Sequence, residues 1–256
     1  MTEPTRKAAL VTGAARRVGR AIAEDLAAAG YAVAIHCNSS TGEAETVADG
    51  IRARGGHAAV VCADLSDRAA VAGLVGAATS ALGRPPSVLV NNASHFDEDA
   101  LASLDHALWD KHMALHLEAP VFLTKAFAAA LPDEAGEGNV VNIIDQRVWR
   151  LTPKFFSYTL SKSALWTATR TMALALAPRI RVNAIGPGPV LASIHQASGI
   201  FEAQVEAVPL QRGPAPEEIA AAIRFLISQR SMTGQMLALD GGQHLAWQTP
   251  DALLDA

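Results

Sequence analysis

The chain has 256 residues, of which 50% are hydrophobic and 18% are charged, and its formal net charge is −4. This composition excludes an intrinsically disordered chain, and the charge gives no general attraction to nucleic acid or to an anionic membrane. The sequence contains no run of about eighteen apolar residues, and its first residues lack the apolar stretch of a signal peptide. We therefore expect a cytoplasmic protein with a small-molecule partner. Cys37 and Cys62 are its only cysteines, which predicts free thiols and no metal site.

Short apolar runs alternate with longer segments of helical period, which is the pattern of β-α-β units. The runs predict strands at residues 8–11, 32–36, 58–62, 88–90, 140–144, 180–184 and 236–239. The longer segments predict helices at residues 18–29, 43–54, 68–82, 113–131, 155–176 and 216–228. Nearly continuous apolar strands joined by helices are typical of a parallel sheet covered on both faces. We therefore predict a single α/β domain over residues 1–256, with a doubly wound parallel sheet of about seven strands.

The segment 187–216 is rich in Pro and Gly and has no predicted strand or helix. Ligands of such sheets bind at the carboxyl ends of the strands. We expect this segment to be one long irregular flap over a site at that edge.

A turn with glycines joins the first predicted strand to the first predicted helix. A strand, a glycine turn and a helix in this order direct backbone N–H groups and the positive end of the helix dipole at an anion, which suits a pyrophosphate. A purely structural turn is the alternative interpretation. The residues of the turn are Thr12, Gly13, Ala14, Ala15, Arg16, Arg17, Val18 and Gly19.

Tyr158 and Lys162 lie four residues apart on the predicted helix 155–176 and therefore share one face. An ammonium beside a phenol favours the phenolate, which lowers the tyrosine pKa toward the range in which it can act as a general acid or base. Tyr-x-x-x-Lys by itself is a frequent coincidence, so its weight depends on the motifs around it.

The ordered set of motifs resembles the short-chain dehydrogenase/reductase family over essentially the whole chain. The set consists of Thr12-Gly13 with Gly19, Asp64-Leu65, Asn91-Asn92-Ala93, Tyr158 with Lys162, Pro187-Gly188 and Asp240-Gly241-Gly242. The resemblance implies a Rossmann-type fold, a nicotinamide cofactor, Tyr158 as the group that transfers the proton and Lys162 as a ligand of the nicotinamide ribose. It also implies a homotetramer, in which the long helices 113–131 and 155–176 pack across two-fold axes.

The same resemblance assigns cofactor contacts to three further segments. Asp64 and the adjacent Leu65 are expected at the adenine, Asn92 and Ala93 beside the cofactor, and the loop from Pro187 through Gly188 to Val190 at the nicotinamide carboxamide. A strand-end turn for the asparagine pair and an ordinary loop for Pro-Gly are the alternatives.

Charge at the end of the second predicted strand favours NADP(H) over NAD(H). NAD-specific sites usually present an acid there to the ribose 2′-hydroxyl, whereas this chain has Asn38, Ser39 and Ser40. Arg16 supplies a cation for a 2′-phosphate, and the three polar side chains supply donors. Alternatively, Arg16 is a solvated surface charge. Position 39 is Ser and not Arg, so fewer cations contact the 2′-phosphate than in many NADP enzymes, and a strict preference for NADP is not implied.

Three residues depart from the usual family pattern: Asp145 replaces Ser, His116 replaces Asn, and Arg17 replaces the middle Gly of the turn. Within the family, this combination resembles pteridine reductases and the related dihydromonapterin, or alternative dihydrofolate, reductases, which also carry Asn-Ala-Ser followed closely by an aromatic residue. Here that segment is Asn92-Ala93-Ser94-His95-Phe96. A flat pterin stacks on an aromatic ring and hydrogen-bonds along its edge, so we expect it to contact Arg17, Ser94, Phe96, Asp145 and Tyr158.

Structural roles are the alternatives for these side chains. Phe96 can be a core aromatic, Ser94 a strand-end cap, and Asp145 a loop cap or a partner of Arg147. His116 either holds a water beside the lysine or fills space, and Trp149, Phe156 and His195 either line the pocket or pack elsewhere. The function predicted is an NADPH-dependent reductase of a pterin or dihydropterin. A carbonyl reductase of the same family and a catalytically silent dinucleotide-sensing protein are the alternatives.

Overall fold

A computed structural model describes residues 7–132, 136–192 and 199–247. Seven strands form one parallel sheet in the order β3-β2-β1-β4-β5-β6-β7. The strands are β1 (Ala8–Val11), β2 (Ala32–Cys37), β3 (His57–Cys62), β4 (Val88–Asn91), β5 (Gly138–Ile143), β6 (Ile180–Pro187) and β7 (Met236–Leu239). The single α/β domain with a doubly wound, Rossmann-like sheet predicted from the sequence is confirmed.

Helices cover both faces of this sheet. They are α1 (Arg17–Ala28), α2 (Thr41–Ala53), α3 (Arg68–Leu82), α4 (His106–Met113), α5 (Ala119–Ala130), α6 (Phe156–Leu176), α7 (Ile200–Glu206) and α8 (Pro216–Ser228). Helices α1, α2 and α8 bury their apolar side chains on one face, and α3 and α5 bury theirs on the other. Each fully buried Leu, Ile or Phe contributes about 1.5–3 kcal/mol relative to an exposed one, so the two layers fix the sheet from both sides.

The predicted helix 113–131 is part of a longer helical segment that begins at His106. Its middle, Ala114–Glu118, is a π-helical turn in which the N–H of Ala119 donates to the carbonyl of Ala114. Pro120 explains the change of winding, because it has no N–H and its ring would clash with the carbonyl of His116, four residues earlier. The wider turn places His116 in the protein interior.

The flap is less irregular than its composition predicts, because the short helix α7 lies within the segment 187–216. Gly199 begins this helix in a left-handed conformation with φ of +83°, and the sequence from Phe201 to Glu206 favours helix. Residues 193–198 of the flap, including His195, lie outside the described residues. In the described parts of the chain, no helix is both long and apolar enough to span a membrane.

Candidate active site

The glycine turn after β1 is tied to the turn after β4 by side-chain hydrogen bonds. The hydroxyl of Thr12 accepts from the backbone N–H groups of Asn92 and Ala93 at 2.9 and 3.0 Å. In return, the Asn92 amide donates to the carbonyls of Thr12 and Gly13 at 2.8 and 3.1 Å. The two turns therefore form one rigid edge at the carboxyl ends of β1 and β4.

The turn has the shape of an anion cradle. Gly13 adopts φ of +62°, and a Cβ at Gly19 would lie 2.1 Å from the carbonyl oxygen of Gly13, so neither position accommodates a side chain. Val18 is half-buried and packs against the core. The first backbone N–H groups of α1 have no partners within the helix. The geometry fits a pyrophosphate at the start of α1.

Sequence reasoning missed one residue that supports this cradle. The buried His36 accepts from the N–H of Gly13 through Nδ1 at 3.1 Å and contacts the carbonyl of Ala63 through Nε2 at 3.0 Å. Nδ1 must be an acceptor here, so Nε2 carries the proton and the ring is neutral. Burial lowers the pKa of His36, which agrees with this state. A polar residue in an otherwise apolar strand was the available signal.

The residues expected at the 2′-phosphate lie together after β2. Asn38 and Ser39 are exposed and Ser40 is half-buried, directly before α2. Arg16 reaches this region, but its guanidinium pairs with Glu43 in the first turn of α2. Both side chains are exposed, so the pair is screened by water. Sequence reasoning did not identify Glu43 as a competitor for Arg16.

The remaining residues expected at the cofactor lie at the same edge of the sheet. Asp64 accepts from the N–H and the hydroxyl of Ser66 at 2.8 and 2.7 Å, and these bonds lower its pKa. Leu65 is buried in the core. Pro187 ends β6, and the N–H of Gly188 donates to the carbonyl of Leu239 at 2.9 Å. A Cβ at Gly188 would lie 2.7 Å from the Cα of Asp240, and the half-buried Val190 packs against the core nearby.

Asp145 and Tyr158 form the centre of the candidate site. The phenol of Tyr158 donates to Oδ2 of Asp145 at 3.0 Å, and Oδ1 of Asp145 accepts from the N–H of Arg147 at 2.8 Å. Asp145 therefore begins the 3₁₀ turn Gln146–Val148 and also contacts the tyrosine hydroxyl. Lys162 lies one helical turn further along α6, and its ammonium donates to the carbonyl of Ile143 at 2.8 Å.

Burial and neighbouring charges shift the pKa values of all three groups, and the shift of Tyr158 is opposite to the lowering expected from the sequence. Burial and then the negative charge of Asp145 raise the pKa of Tyr158 well above its usual value. Burial also raises the pKa of Asp145, whereas the bond from Arg147 opposes this change. Burial lowers the pKa of Lys162 to about 8, and Asp145 partly offsets it. In the protein alone the phenol is thus held in its protonated, proton-donating form.

His116 links Tyr158 to the turn after β4. Nε2 of His116 accepts from the N–H of His95 at 3.1 Å and contacts the hydroxyl of Ser94 at 3.1 Å. Its Nδ1 lies 2.9 Å from the hydroxyl of Ser161, which itself donates to the carbonyl of Tyr158. Nδ1 therefore carries the proton, and burial holds the pKa of His116 well below its usual value. A neutral His116 thus fixes the position of Ser94 beside the tyrosine.

A second buried group behind this one was also missed by sequence reasoning. His112 stacks on His116 with ring centroids 5.3 Å apart, and its Nδ1 lies 2.7 Å from the hydroxyl of Ser157. Ser157 in turn donates to Asp99, which also accepts from the N–H of Ser157. The i, i+4 spacing of His112 and His116 was the available signal, but the predicted helix 113–131 began one residue too late to include both.

Phe96 lies against Tyr158, whereas Arg17 contacts the first residues of the flap. One face of Phe96 stacks on Phe155 with centroids 4.3 Å apart, and its ring meets Tyr158 edge-on at 4.8 Å. Arg17 adopts φ of +53°, the left-handed conformation that suits the Gly of the usual family pattern. Its guanidinium donates to the carbonyls of Leu191 and Ala192 at 3.0 and 2.8 Å, at the start of the flap. Trp149 packs against His244 and Trp166.

Comparison with known proteins agrees with this arrangement. A family model described as enoyl-(acyl carrier protein) reductase, a model of short-chain dehydrogenases/reductases, matches residues 13–244. FolM alternative dihydrofolate reductase 1 from Brucella suis, crystallised with NADP, is 58% identical with a TM-score of 0.92, covering 96% of this chain and 98% of that chain. The corresponding protein from Brucella canis, also complexed with NADP, is 57% identical with a TM-score of 0.92, covering 96% of each chain.

Pteridine reductase 1 of Leishmania tarentolae is 34% identical over 285 residues, covering 95% of this chain and 98% of that protein. The matches therefore extend over nearly the full length of both partners. This chain belongs to the short-chain dehydrogenase/reductase family.

Proposed function

We propose that the protein is an NADPH-dependent reductase of a pterin or dihydropterin. The observation that carries this proposal is the hydrogen bond of 3.0 Å from the Tyr158 phenol to Asp145, at a position where most of the family has Ser. The relatives named for dihydrofolate and pteridine reduction, and the NADP of the Brucella structures, support it. A carbonyl reductase is the second candidate function, and only the pair of Tyr158 and Lys162 supports it.

NADP(H) is proposed as the cofactor. When bound, it supplies the hydride. The glycine turn binds its pyrophosphate, Asn38, Ser39, Ser40 and Arg16 surround its 2′-phosphate, and Lys162 binds the nicotinamide ribose. Asp64 and Leu65 contact the adenine, and Asn92, Ala93 and the loop Pro187–Val190 hold the nicotinamide end.

Reduction of a C=N bond requires a proton on the nitrogen as hydride arrives at the carbon. Tyr158 is the proton donor: its raised pKa keeps the phenol protonated in the protein alone, and the Lys162 ammonium, 5.7 Å from its ring, favours the phenolate that remains once the proton is transferred. The carboxylate of Asp145 accepts a hydrogen bond from the Tyr158 hydroxyl, and it also accepts one from the amino group at the edge of the pterin ring. Phe96 stacks on the ring, and Ser94, held by His116, and Arg17, at the flap, bound the pocket.

The enzyme is further proposed to work in the cytoplasm, which supplies NADPH, and as a homotetramer. A catalytically silent dinucleotide-binding protein is the alternative from another class. It would bind NADPH without consuming it, and the intact geometry of Tyr158 and Lys162 argues against it.

Replacement of Asp145 tests the substrate. We predict that Asp145→Ser, which introduces the usual family residue, lowers kcat/KM for 7,8-dihydropterins by about 10²-fold, the scale of one general acid or one charged hydrogen bond. Small ketones should lose little or gain, because a serine hydroxyl can donate to a carbonyl oxygen, whereas a carboxylate repels the charge that develops there.

Steady-state NADPH oxidation with both substrate classes measures this difference. Asp145→Asn is the matched control for shape, because it keeps the size of the side chain but removes its charge. Unchanged kinetics with dihydropterins in Asp145→Ser, or a wild-type preference for ketones by orders of magnitude, would reject the pterin substrate.

A further inference from the structure

A cavity of about 270 Å³ lies beyond Asp145, on the side where the chain continues into the 3₁₀ turn Gln146–Val148. It is bounded by that turn, by the end of α7 and by the 3₁₀ turn Gln243–Leu245 that follows β7. Its wall includes Gln146, Arg147, Arg150, Thr152, Val208 and Gln243, and none of the described residues that line it is acidic. The described wall therefore combines two cations with amide groups and carries no negative charge.

Gln146 is the first sign that this cavity receives a ligand. The side chain is only 4% exposed, yet its Oε1 is buried without a hydrogen-bond partner in the described parts of the protein. Buried polar atoms in native proteins are nearly always paired. The amide can present either its oxygen or its nitrogen after a flip, so a ligand with polar groups of either kind satisfies it.

Arg150 is the second sign. It is exposed at the rim of the cavity, and its guanidinium has neither a hydrogen bond nor an ion pair to any residue in 7–132, 136–192 or 199–247. Most other arginines near the surface of this protein pair with a carboxylate, as Arg52, Arg68 and Arg224 do. An unpaired guanidinium beside a cavity is available to a negatively charged group, which it can bind through two parallel N–H bonds.

Arg147 connects the cavity to the reaction centre. Its guanidinium lies 4.7 Å from the ring centroid of Phe155 and 5.7 Å from that of Phe96, and it donates to the hydroxyl of Thr152 at 3.3 Å. Its own N–H donates to Asp145. A molecule that stacks on Phe96 and contacts Asp145 therefore lies next to the cavity, and a substituent on it can enter between the two arginines.

We propose that this cavity is a subsite for the negatively charged side chain of a substituted dihydropterin. The proposal rests on the pterin reductase function proposed above and narrows it to substrates with an anionic tail. The anion can be a carboxylate, as in the glutamyl tail of dihydrofolate, or a phosphate ester on a short side chain. Both chemistries match two guanidinium groups without an internal acid.

Three substrates separate the tail from the ring, assayed with saturating NADPH: 6-methyl-7,8-dihydropterin without an anion, 7,8-dihydrofolate with carboxylates, and 7,8-dihydroneopterin monophosphate with a phosphate. We expect at least one anionic substrate to have a KM about tenfold below that of the neutral compound, which corresponds to one charged hydrogen bond. The substrate that benefits identifies the source of the anion. A KM that increases with salt for that substrate alone supports an ionic contact.

Arg150→Gln should raise the KM for that anionic substrate about tenfold while kcat changes little, because binding of the tail contributes equally to ground state and transition state. The neutral compound does not reach Arg150, so its KM should stay within about twofold. Arg54→Gln is the matched control, since it removes an exposed arginine from the end of α2, and it should leave all three KM values unchanged.

A binding measurement makes the outcome independent of turnover. Calorimetry of the NADPH-bound protein with p-aminobenzoylglutamate and with inorganic phosphate should detect one of them, and Arg150→Gln should weaken that binding about tenfold. The subsite is wrong if Arg150→Gln changes neither the anionic KM values nor the binding of both probes. If none of the three dihydropterins is reduced but Arg150-dependent binding is found, the proposed function fails and the anion site stands.

Discussion

Lys162 is the ionisable residue whose burial has the clearest consequence for stability. It is only 2% exposed, and burial lowers its pKa from 10.5 to about 8. Below pH 8 both the folded and the unfolded chain carry the proton, so folding includes the full cost of the buried charge, about 3 kcal/mol. Between pH 8 and 10.5 the unfolded chain binds more protons than the folded one, so stability rises with pH.

We predict that Lys162→Met removes this rise. The free energy of unfolding of the wild type minus that of Lys162→Met, both measured with urea, should increase between pH 8 and pH 10 by about 2 kcal/mol. The difference is the quantity compared, because burial raises the pKa of Cys37 to about 11, which lowers the stability of both proteins with pH over part of this range. Above pH 10 the raised pKa of Tyr158 acts in the opposite direction, so the comparison ends there. Lys125→Met removes an exposed lysine of α5 and should keep the rise. Equal slopes in wild type and Lys162→Met would contradict the prediction.

Arg16 and Glu43 form the second residue-scale test. Their ion pair lies beside Asn38, Ser39 and Ser40, where a 2′-phosphate is proposed to bind. Glu43 therefore competes with the 2′-phosphate for the Arg16 guanidinium, and its negative charge also repels the phosphate directly. This arrangement gives a physical reason for a weaker preference for NADPH than the arginine alone predicts.

We predict opposite effects for the two partners. Arg16→Ala should raise the dissociation constant for NADPH about tenfold with little effect on NADH, because it removes one charged hydrogen bond to the phosphate. Glu43→Gln should tighten NADPH binding severalfold and leave NADH unchanged, because it frees Arg16. Titration of cofactor fluorescence measures both. Equal or tighter binding of NADH by the wild type would overturn the assignment of NADP(H).

At the scale of single residues, the sequence predicted best those contacts whose two residues are close together in the chain. Tyr158 and Lys162 share a face because of their spacing within one helix, so no tertiary information was needed. The bonds from His116 to Ser161 and from Asp99 to Ser157 join residues 45 and 58 positions apart. Such pairs depend on how helices pack, and a single sequence holds no direct signal of that.

At the scale of elements, the glycine turn and the flap are coupled through Arg17. Its backbone adopts a conformation that costs a non-glycine residue about 1 kcal/mol or more, and its side chain holds the carbonyls of Leu191 and Ala192. The left-handed position thus joins the glycine turn to the first residues of the flap. We infer that the strained backbone of Arg17 is retained because this conformation lets its guanidinium hold Leu191 and Ala192, the first residues of the flap.

We predict that Arg17→Gly leaves the free energy of unfolding nearly unchanged, since relief of strain offsets the lost hydrogen bonds. Amide hydrogen exchange at residues 190–192 should become faster, and the KM for a dihydropterin should rise about tenfold. Arg17→Lys, the matched control for charge, cannot bind two carbonyls with one planar fork, so it should show an intermediate effect. Unchanged exchange at 190–192 would separate Arg17 from the flap.

Most elements were predictable because their apolar periodicity is local. The errors have particular causes. Strand β6 continues to Pro187 because Gly186 and Pro187 still pair with Ala238 and Leu239 of β7, after the pairing with β5 has ended at Ile185, although both residue types usually end strands. Helix α7 was missed because the Pro and Gly residues that flank it dominate the composition of the flap. The π-helical turn results from Pro120, whose ring would clash with the carbonyl of His116 in an α-helix. The hydrophobic periodicity of the segment averages over many residues and does not reveal such a local effect.

At the scale of the whole molecule, three of the exposed large apolar side chains lie on the two helices expected in subunit contacts, and the others are spread over the rest of the described surface. Phe122 on α5 is 48% exposed, and Leu160 and Leu174 on α6 are 40% and 84% exposed. Isolated exposed leucines are common, but three large apolar residues on these two helices favour burial in an oligomer. They support the homotetramer proposed above.

We predict that light scattering at micromolar concentration gives about four times the chain mass of 26.7 kDa. Phe122→Glu or Leu174→Glu should lower the measured mass, because a charge in an apolar interface is costly to bury. Leu101→Glu changes an exposed leucine outside these helices and should leave the mass unchanged. A monomeric wild type at that concentration would contradict the assembly.

The π-helical turn at Ala114–Glu118 also affects how this chain is compared with others. A π turn contains one residue more than the α-helical turn it replaces, so it is equivalent to a one-residue insertion in a continuous helix. A relative without it would align only through a single gap between positions 113 and 119. A helical wheel drawn in unbroken α-helical phase would misplace every side chain of α5 by about 100° relative to α4.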